Sequence, residues 1–347
     1  TWNHGLHCYH AIGRVGENFD NEEVISQLPG DMAIGHVRYS TTGGSTEANV
    51  QPLKANLDFG EFALVHNGDI TNFVKLKQQL VHKGSLFQTT GDTEVILHLM
   101  AMQPDSAFNK FQNALKRVEG AFSIIAMCDD RMFVARDPHG FRPLVMGTLG
   151  DGYVFASETC ALDIIGAEYK RDINPGEVLI VSGQHLTSTY PFLQRPAKFC
   201  VFEHIYFSRP DSIYGEHVVY DVRKRIGIEL AKESPVETDV VIPVPDSGVP
   251  SALGYAQETN IPFEMGITRS HYRGRTFIQP EQKIRDLGVK LKHNALRSLK
   301  GKSVTVIDDS IVRGTTAKKI IKMLNKVGVT EIHVRIASPA VKNPCYY

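Results

Sequence analysis

Apolar and polar positions along the chain change rhythm near its middle. The first half carries short runs that alternate or cluster apolar residues over four to seven positions, the period expected of strands. Ala33 to Tyr39, Phe62 to Val65, Ser123 to Met127, Met132 to Ala135 and Tyr153 to Ala156 are such runs. Two helices are expected between them. One spans about Thr71 to Lys83, with Phe73, Leu76 and Leu80 on one face and Gly84 as stop; the other starts near Asp92, with Val95, Ile96, Leu99 and Met100 apolar. Strands with segregated helices predict an α+β domain of layered antiparallel sheets and helices.

In the second half, the run from Asp239 to Pro245 and the run from Ser303 to Ile307 read as buried strands. Ala317, Ile320, Ile321 and Leu324 then recur at helical spacing, Gly328 ends that helix, and Glu331 to Ile336 is strand-like again. Strand, loop, helix, strand is a βαβ unit, so this half predicts an α/β domain with a parallel sheet. The polar, proline-containing stretch from Pro191 to Lys198 marks the boundary, dividing residues 1–195 from 196–347. A chain of 347 residues with 42% hydrophobic and 22% charged residues has material for two such cores. Lys plus Arg and Asp plus Glu are 38 each, so no global charge calls for nucleic acid or a membrane surface. No apolar run reaches the roughly 18 residues of a membrane span. Five scattered cysteines fit reduced thiols in a cytoplasm better than a disulfide framework.

The densest chemistry lies at the end of the second strand of that half. Asp308 and Asp309 follow an apolar strand; Ser310, Arg313, Gly314, Thr315 and Thr316 then open a helix. Free backbone N–H groups at a helix start make an anion site, close backbone approach needs Gly314, and the hydroxyls add donors. The two carboxylates cannot also hold a phosphate, but they can accept hydrogen bonds from a sugar diol. A phosphate beside a diol describes ribose 5-phosphate, at the carboxyl end of a strand where open α/β sheets bind ligands. An acidic cap followed by a polar turn is the plainer alternative. Pro245, Asp246, Ser247 and Gly248 follow another buried strand, and a basic, Gly- and Pro-containing stretch runs from His271 through Arg275 to Asn294. That stretch reads either as a solvated loop or as a lid excluding water from a polyphosphate.

These segments, together with Ile34 to Thr41, Val50 to Pro52, His66-Asn67-Gly68, Gly91 to Glu94, Arg136 to Pro143, Ala156 to Thr159, Pro175 to Glu177 and Glu203 to Ser212, resemble the glutamine phosphoribosylpyrophosphate amidotransferases along nearly the whole chain. The resemblance implies an N-terminal-nucleophile glutaminase domain followed by a type I phosphoribosyltransferase domain. It implies ammonia released from glutamine, passed inward, and used to displace pyrophosphate from phosphoribosyl pyrophosphate, giving 5-phosphoribosylamine at the start of purine synthesis. A non-catalytic regulator binding the same phosphoribosyl compound is the alternative; it need keep neither the lid nor the first domain.

Carried over by resemblance, Arg38 holds the glutamine carboxylate, Asp92 its ammonium, and Asn67 with Gly68 forms the oxyanion hole. A strand-edge charge, a helix cap and a hairpin turn, in that order, are the plainer readings of Arg38, Asp92 and the Asn67-Gly68 pair. Asp308, Asp309, Ser310, Arg313, Gly314, Thr315, Thr316, Asp246, Ser247, Gly248 and Arg275 are expected to bind the phosphoribosyl pyrophosphate, with Mg²⁺ near Ser247, Asp308 and Asp309. The family nucleophile is an N-terminal Cys. Thr1 and Cys8 do not fill that role, so the chain is expected to begin after that segment and to stop before the end of the second domain. Asp69, Gly91 and Arg273 stand where the family has Asn, Ser and Val. Cys200 and Cys345 match positions that ligate a [4Fe–4S] cluster in some members, which needs about four thiolates. Homo-oligomers and inhibition by purine nucleotides are further family expectations.

Overall fold

The computed structural model describes residues 1–38, 44, 46–269, 293–343 and 345–347. They divide into two compact units: Thr1–Cys200 with Cys345–Tyr347, and Val201–Pro344.

The first unit begins with two short helices, α1 (Val15–Phe19) and α2 (Glu22–Ser26). Its centre is a six-stranded antiparallel sheet in the order β1-β2-β3-β4-β8-β9. The strands are β1 (Leu53–Leu57), β2 (Gly60–Ile70), β3 (Gly120–Cys128), β4 (Arg131–Arg136), β8 (Val178–Ser182) and β9 (His185–Thr189). Helices α3 (Phe73–His82), α4 (Glu94–Ala101) and α5 (Ala107–Leu115) cover one face. The strand alternation sends Phe62, Leu64, Phe122, Ile124 and Phe133 to that face, where Leu80, Ile96, Leu99 and Phe111 meet them. Ile125, Val134 and Leu179 point the other way, onto Leu144, Met146 and Ile173. That second layer includes the small sheet β6-β5-β7, made of β5 (Val145–Leu149), β6 (Gly152–Ala156) and β7 (Glu168–Asp172), with α6 (Thr159–Ile165). Helix, sheet, sheet is the layered α+β architecture that the pattern calls for.

Two local expectations fail here. Ala33 to Arg38 joins no strand ladder among the described residues. Beyond Leu64, which pairs with the first residue of β1, the outer edge of β2 is occupied by side chains instead: His66 N–H donates to Gln51 Oε1 at 2.6 Å, and His36 Nε2 meets the His66 carbonyl at 3.0 Å. The run reaches β2 through the His36 ring instead of a backbone ladder. The hairpin reading of Asn67-Gly68 also falls. Both lie inside the eleven-residue β2, paired with Ser123 and Phe122, and the turn is at Asp58-Phe59.

The second unit starts with a short helical turn at Glu203–Phe207, followed by a small antiparallel pair, β10 (Ile213–Tyr214) and β11 (His217–Val218), before α7 (Val219–Glu233). A parallel sheet follows in the order β12-β15-β16, from β12 (Val240–Pro243), β15 (Ser303–Asp308) and β16 (Glu331–Ile336). Helices α7 and α8 (Val249–Thr259) cover one face, with Ala231, Ala252 and Tyr255 on Val241 and Ile307. Helix α9 (Thr315–Val327) covers the other, placing Ile320 and Leu324 on Val304, Val306 and Ile242. An added antiparallel pair, β13 (Ile267–Arg269) and β14 (His293–Ala295), extends that second core. Strands buried on both faces explain why β12 and β15 read as continuous apolar runs.

Candidate functional site

In the first unit the expected residues gather along the outer edge of β2. Extended backbone turns the N–H groups of alternate residues to the same side. The His66 N–H goes to Gln51 and the Ile70 N–H goes to Asp92 Oδ2 at 2.8 Å, so the alternation turns the Gly68 N–H between them to the same edge. Gly68 cannot be anything larger. A Cβ there would lie 1.9 Å from the Ala121 carbonyl oxygen and 2.7 Å from His66 Nε2. Close packing against β3 thus fixes a residue whose own face is open.

Asp92 is not a helix cap: it precedes Thr93, the residue at the α4 cap position, and its carboxylate accepts from Ile70 and from the Thr93 hydroxyl. Its oxygens have room for a further donor. Arg38 reaches the same neighbourhood. Its Nη2 donates to the Gly44 carbonyl at 3.4 Å, and a Cβ on Gly91 would lie 3.7 Å from its Nη1. Buried Asn49 holds the segment between them by accepting the Thr90 and Gly91 N–H groups at 3.0 and 3.1 Å. Behind them sit two imidazoles. His66 is fully enclosed, with Nδ1 at 3.1 Å from Thr93 Oγ1, and burial holds its pKa below the usual histidine value. Burial, then His66 and Arg38, push His36 down to about 4. Both rings are therefore neutral supports at pH 7.

Asn67 lies between two partners that sequence reasoning does not single out. Its Oδ1 accepts from Arg142 Nη2 at 3.3 Å, and its Nδ2 donates to Ser157 Oγ at 3.4 Å. Both come from segments that carry the family resemblance, so the sequence marks the residues without marking whom they meet. The Thr1 amine donates to the His7 carbonyl at 2.8 Å, and the Cys8 thiol, raised by burial, lies 3.3 Å from His10 Nε2.

In the second unit the two loops of interest follow neighbouring parallel strands at their carboxyl ends. Val244 N–H donates to the Ile307 carbonyl at 2.8 Å, which locks the start of one loop beside the start of the other. From there, Pro245, Asp246, Ser247 and Gly248 lead into α8, with the Pro245–Asp246 peptide cis. Asp308, Asp309 and Ser310 lead towards α9, whose first turn starts after Gly314 in the left-handed region at φ +67°. Helices of eleven and thirteen residues therefore begin on the side where β12 and β15 end.

Both carboxylates of the acidic pair are buried. Asp308 Oδ1 accepts the Asp309 N–H at 3.0 Å, and the Ser310 hydroxyl donates to Asp309. Burial first, and the neighbouring Asp309 second, push Asp308 up to about 7. Two buried carboxyl groups side by side suit a proton, a metal ion or hydroxyl donors between them. Asp246 has an unforeseen partner, an ion pair with Arg269 at the end of β13. Arg275, Arg273 and the expected lid up to residue 292 lie outside the described residues; its last two residues, His293 and Asn294, belong to β14. Cys200 is half-buried and Cys345 exposed. Among the described residues no group of three or more His, Cys, Asp or Glu is placed to hold a metal ion, and no helix is long and apolar enough to cross a membrane.

Residues 36–163 match the glutamine amidotransferase domain family, and residues 213–345 the phosphoribosyl transferase domain family. The chain is 50% identical over 343 residues to the amidophosphoribosyltransferase of Rhizobium etli, an alignment covering 97% of this chain and 69% of that protein. It is 47% identical over 345 residues to the Bacillus subtilis amidophosphoribosyltransferase, covering 99% and 72%. It is 52% identical over 340 residues to the chloroplastic amidophosphoribosyltransferase 1 of Arabidopsis thaliana, of whose length it spans only 60%. Among solved structures, one described as the allosteric regulatory enzyme of purine biosynthesis matches with a TM-score of 0.89 at 46% identity, over 96% of this chain and 72% of that one. The B. subtilis glutamine phosphoribosylpyrophosphate amidotransferase, solved with ADP and GMP, matches with a TM-score of 0.85 at 46% identity, over 92% and 70%.

Proposed function

The chain belongs to the amidophosphoribosyltransferase family, and from that premise we propose that its first unit releases ammonia from glutamine and its second transfers that ammonia to phosphoribosyl pyrophosphate. The observation that carries the reading is the buried Asp308–Asp309 pair at the end of β15, beside the Pro245 to Gly248 loop at the end of β12. Arg38 grips the glutamine carboxylate with its guanidinium fork, and Asp92 accepts from the ammonium. The amide of Asn67 and the Gly68 N–H receive the negative charge that develops on the side-chain carbonyl when a thiol attacks it. Neither Thr1 nor Cys8 supplies that thiol in this reading. Water then releases glutamate, and the ammonia leaves for the second unit. The functional boundary is drawn at residues 195 and 196.

There Asp308 and Asp309 accept from the ribose 2- and 3-hydroxyls. The segment from Ser310 through Arg313, Gly314 and Thr315 to Thr316 binds the 5-phosphate at the start of α9, and Asp246, Ser247, Gly248 and Arg275 face the pyrophosphate. The nitrogen lone pair bonds to C1 as the C1–O bond breaks, the electron pair departs with pyrophosphate, and the nitrogen loses a proton. The protein's contribution is to position the two reactants and neutralise the leaving charge. Hard oxygen donors at Ser247, Asp308 and Asp309 suit Mg²⁺, which when bound would balance the pyrophosphate charge. Cys200 and Cys345 alone make half of a four-thiolate cluster, so a [4Fe–4S] centre would need two more. Family membership further supports a homo-oligomer that responds to purine nucleotides in a reducing compartment such as the cytoplasm. The test is pyrophosphate release from phosphoribosyl pyrophosphate and Mg²⁺ with ammonium chloride as nitrogen donor. Release that disappears in D308N/D309N is expected. A folded protein that binds the substrate yet releases none would favour the regulatory alternative.

A further inference from the structure

We infer that Arg142 is a positioning residue for glutamine hydrolysis, one that fixes which end of the Asn67 amide faces the reacting carbonyl. This rests on the glutaminase reading of the first unit.

An Asn side chain can turn half a revolution about its last bond and exchange oxygen for nitrogen with little change in shape. As an oxyanion donor it works in only one of those orientations. A guanidinium carries five donors and no acceptor, so only the oxygen end of an amide can face it. Arg142 Nη2 lies 3.3 Å from Asn67 Oδ1. The flipped amide would point N–H at N–H⁺, and the observed one turns Nδ2 away from Arg142 towards Ser157 Oγ at 3.4 Å. Nδ2 carries two hydrogens, so one remains to receive the oxyanion. The cation also draws electron density towards Oδ1 and strengthens the N–H groups as donors.

Arg142 is itself held in place. Its main-chain carbonyl accepts from Arg136 Nε at 2.8 Å and from the Ser123 hydroxyl at 3.4 Å. Arg136 is buried, and its other nitrogens donate to the Ile173 and Gly140 carbonyls at 2.6 and 3.0 Å. Buried Asp137 accepts the His139 N–H at 2.9 Å and the Phe141 N–H at 3.1 Å, closing the same turn. The Arg136 to Pro143 segment is therefore a rigid bracket across β3, whose product is one guanidinium aimed at one amide 75 residues earlier in the chain. Arg142 and Asp69 also act with opposite sign on His66. A cation here offsets the carboxylate that occupies the position after Gly68.

The test uses the full-length protein and the variants R142M, R142K, N67A and R142M/N67A. Losing an oxyanion donor outright costs about a hundred- to a thousand-fold in kcat, and losing its orientation should cost less, on the order of ten- to a hundred-fold. R142M is expected to lose that much glutaminase kcat with glutamine KM little changed. R142K should recover part of it, because the cation returns without the planar fork. The double variant should be no slower than N67A, since Arg142 acts through Asn67. Ammonia-dependent pyrophosphate release in the same preparations reports folding. Additive losses in the double variant, an effect confined to KM, or a wild-type kcat in R142M would each overturn the inference. An N67A variant that hydrolyses glutamine normally would instead bring down the glutaminase reading itself.

Discussion

His36 Nε2 lies 3.0 Å from the main-chain oxygen of His66, so the His36 ring donates there as a neutral imidazole with its proton on Nε2. Burial holds His36 down to about 4 and lowers His66 as well. The unfolded chain binds the His36 proton near pH 6.5, and the folded protein does not until about 4. Between those values the unfolded state carries more protons, so stability falls as pH drops from 6.5 towards 4 and is indifferent to His36 above that window. At its steepest this is about 1.4 kcal/mol per pH unit per histidine. H36Q keeps a donor for the His66 carbonyl and should flatten the profile by up to one proton. Urea denaturation at pH 5 and pH 7 measures this; parallel profiles for the two proteins would mean that His36 is charged in the fold.

Gly68 should tolerate no side chain. The Cβ of G68A would meet main-chain oxygen of Ala121 at 1.9 Å, an atom that belongs to β3 and cannot swing aside. Overpacking of this kind costs about 1–3 kcal/mol, and a backbone neighbour puts the cost at the upper end. Denaturant midpoints of G68A and wild type give the number. A change below about 0.5 kcal/mol, the range of an ordinary surface substitution, would show that β2 and β3 part easily at this point.

Much of this arrangement is legible in the sequence, for identifiable reasons. The β15 loop and α9 can be read because a parallel strand buried on both faces and an amphipathic helix each leave a local signature. In the first unit β2, β3, β4 and β6 and the helices α3 and α4 are legible from their apolar periodicity, whereas β1, β5, β7, β8 and β9 and the helices α1, α2, α5 and α6 are not singled out by it. The run Ala33 to Arg38 misleads because alternation reports an extended chain, not a ladder partner, and here the edge of β2 is met by Gln51, His36 and Asp92 side chains. Asn67-Gly68 carries the composition of a turn, yet sits mid-strand, paired with β3, where the Ala121 carbonyl leaves no room for a Cβ on Gly68. Arg142 on Asn67 and Arg269 on Asp246 join residues 75 and 23 positions apart. No periodicity encodes such pairs; they follow from which strands the topology sets side by side.

Gly91, in contrast to Gly68, should accept a side chain. A Cβ there would lie 3.6 Å from Asn49 Oδ1 and 3.7 Å from Arg38 Nη1, both ordinary contacts. Serine would lower the entropy of the unfolded chain and place a hydroxyl near acceptor and donor alike. G91S is expected to leave stability unchanged or raise it by up to about 1 kcal/mol. Thermal unfolding checks this, and a clear loss would mean that the Asn49-held segment moves when a Cβ enters.

Asp308 should be a residue whose function costs stability. Its carboxyl is pushed up to about 7 by burial and by Asp309, against 3.8 in the unfolded chain. Between those values the folded state holds the extra proton, so stability falls as pH rises through this window, and the penalty is complete above about 7. D308N is neutral at every pH and should remove the penalty. At pH 8 it is expected to be more stable than wild type by about 1–3 kcal/mol, since a carboxyl group that stays protonated through this window loses roughly 1.4 kcal/mol with each pH unit and relaxation recovers part of it. Near pH 4.5 the protonated acid and the amide are near equivalents, and the two proteins should unfold almost together. The same variant should bind phosphoribosyl pyrophosphate weakly at pH 8, because an amide replaces an acceptor for the ribose diol. Denaturation midpoints across pH 4.5 to 8, with and without Mg²⁺ and substrate, test both halves. A D308N protein that is less stable than wild type at pH 8 would show that Asp308 is ionised and well served by its surroundings, and that the pair is a structural cap instead of a site held ready for a ligand.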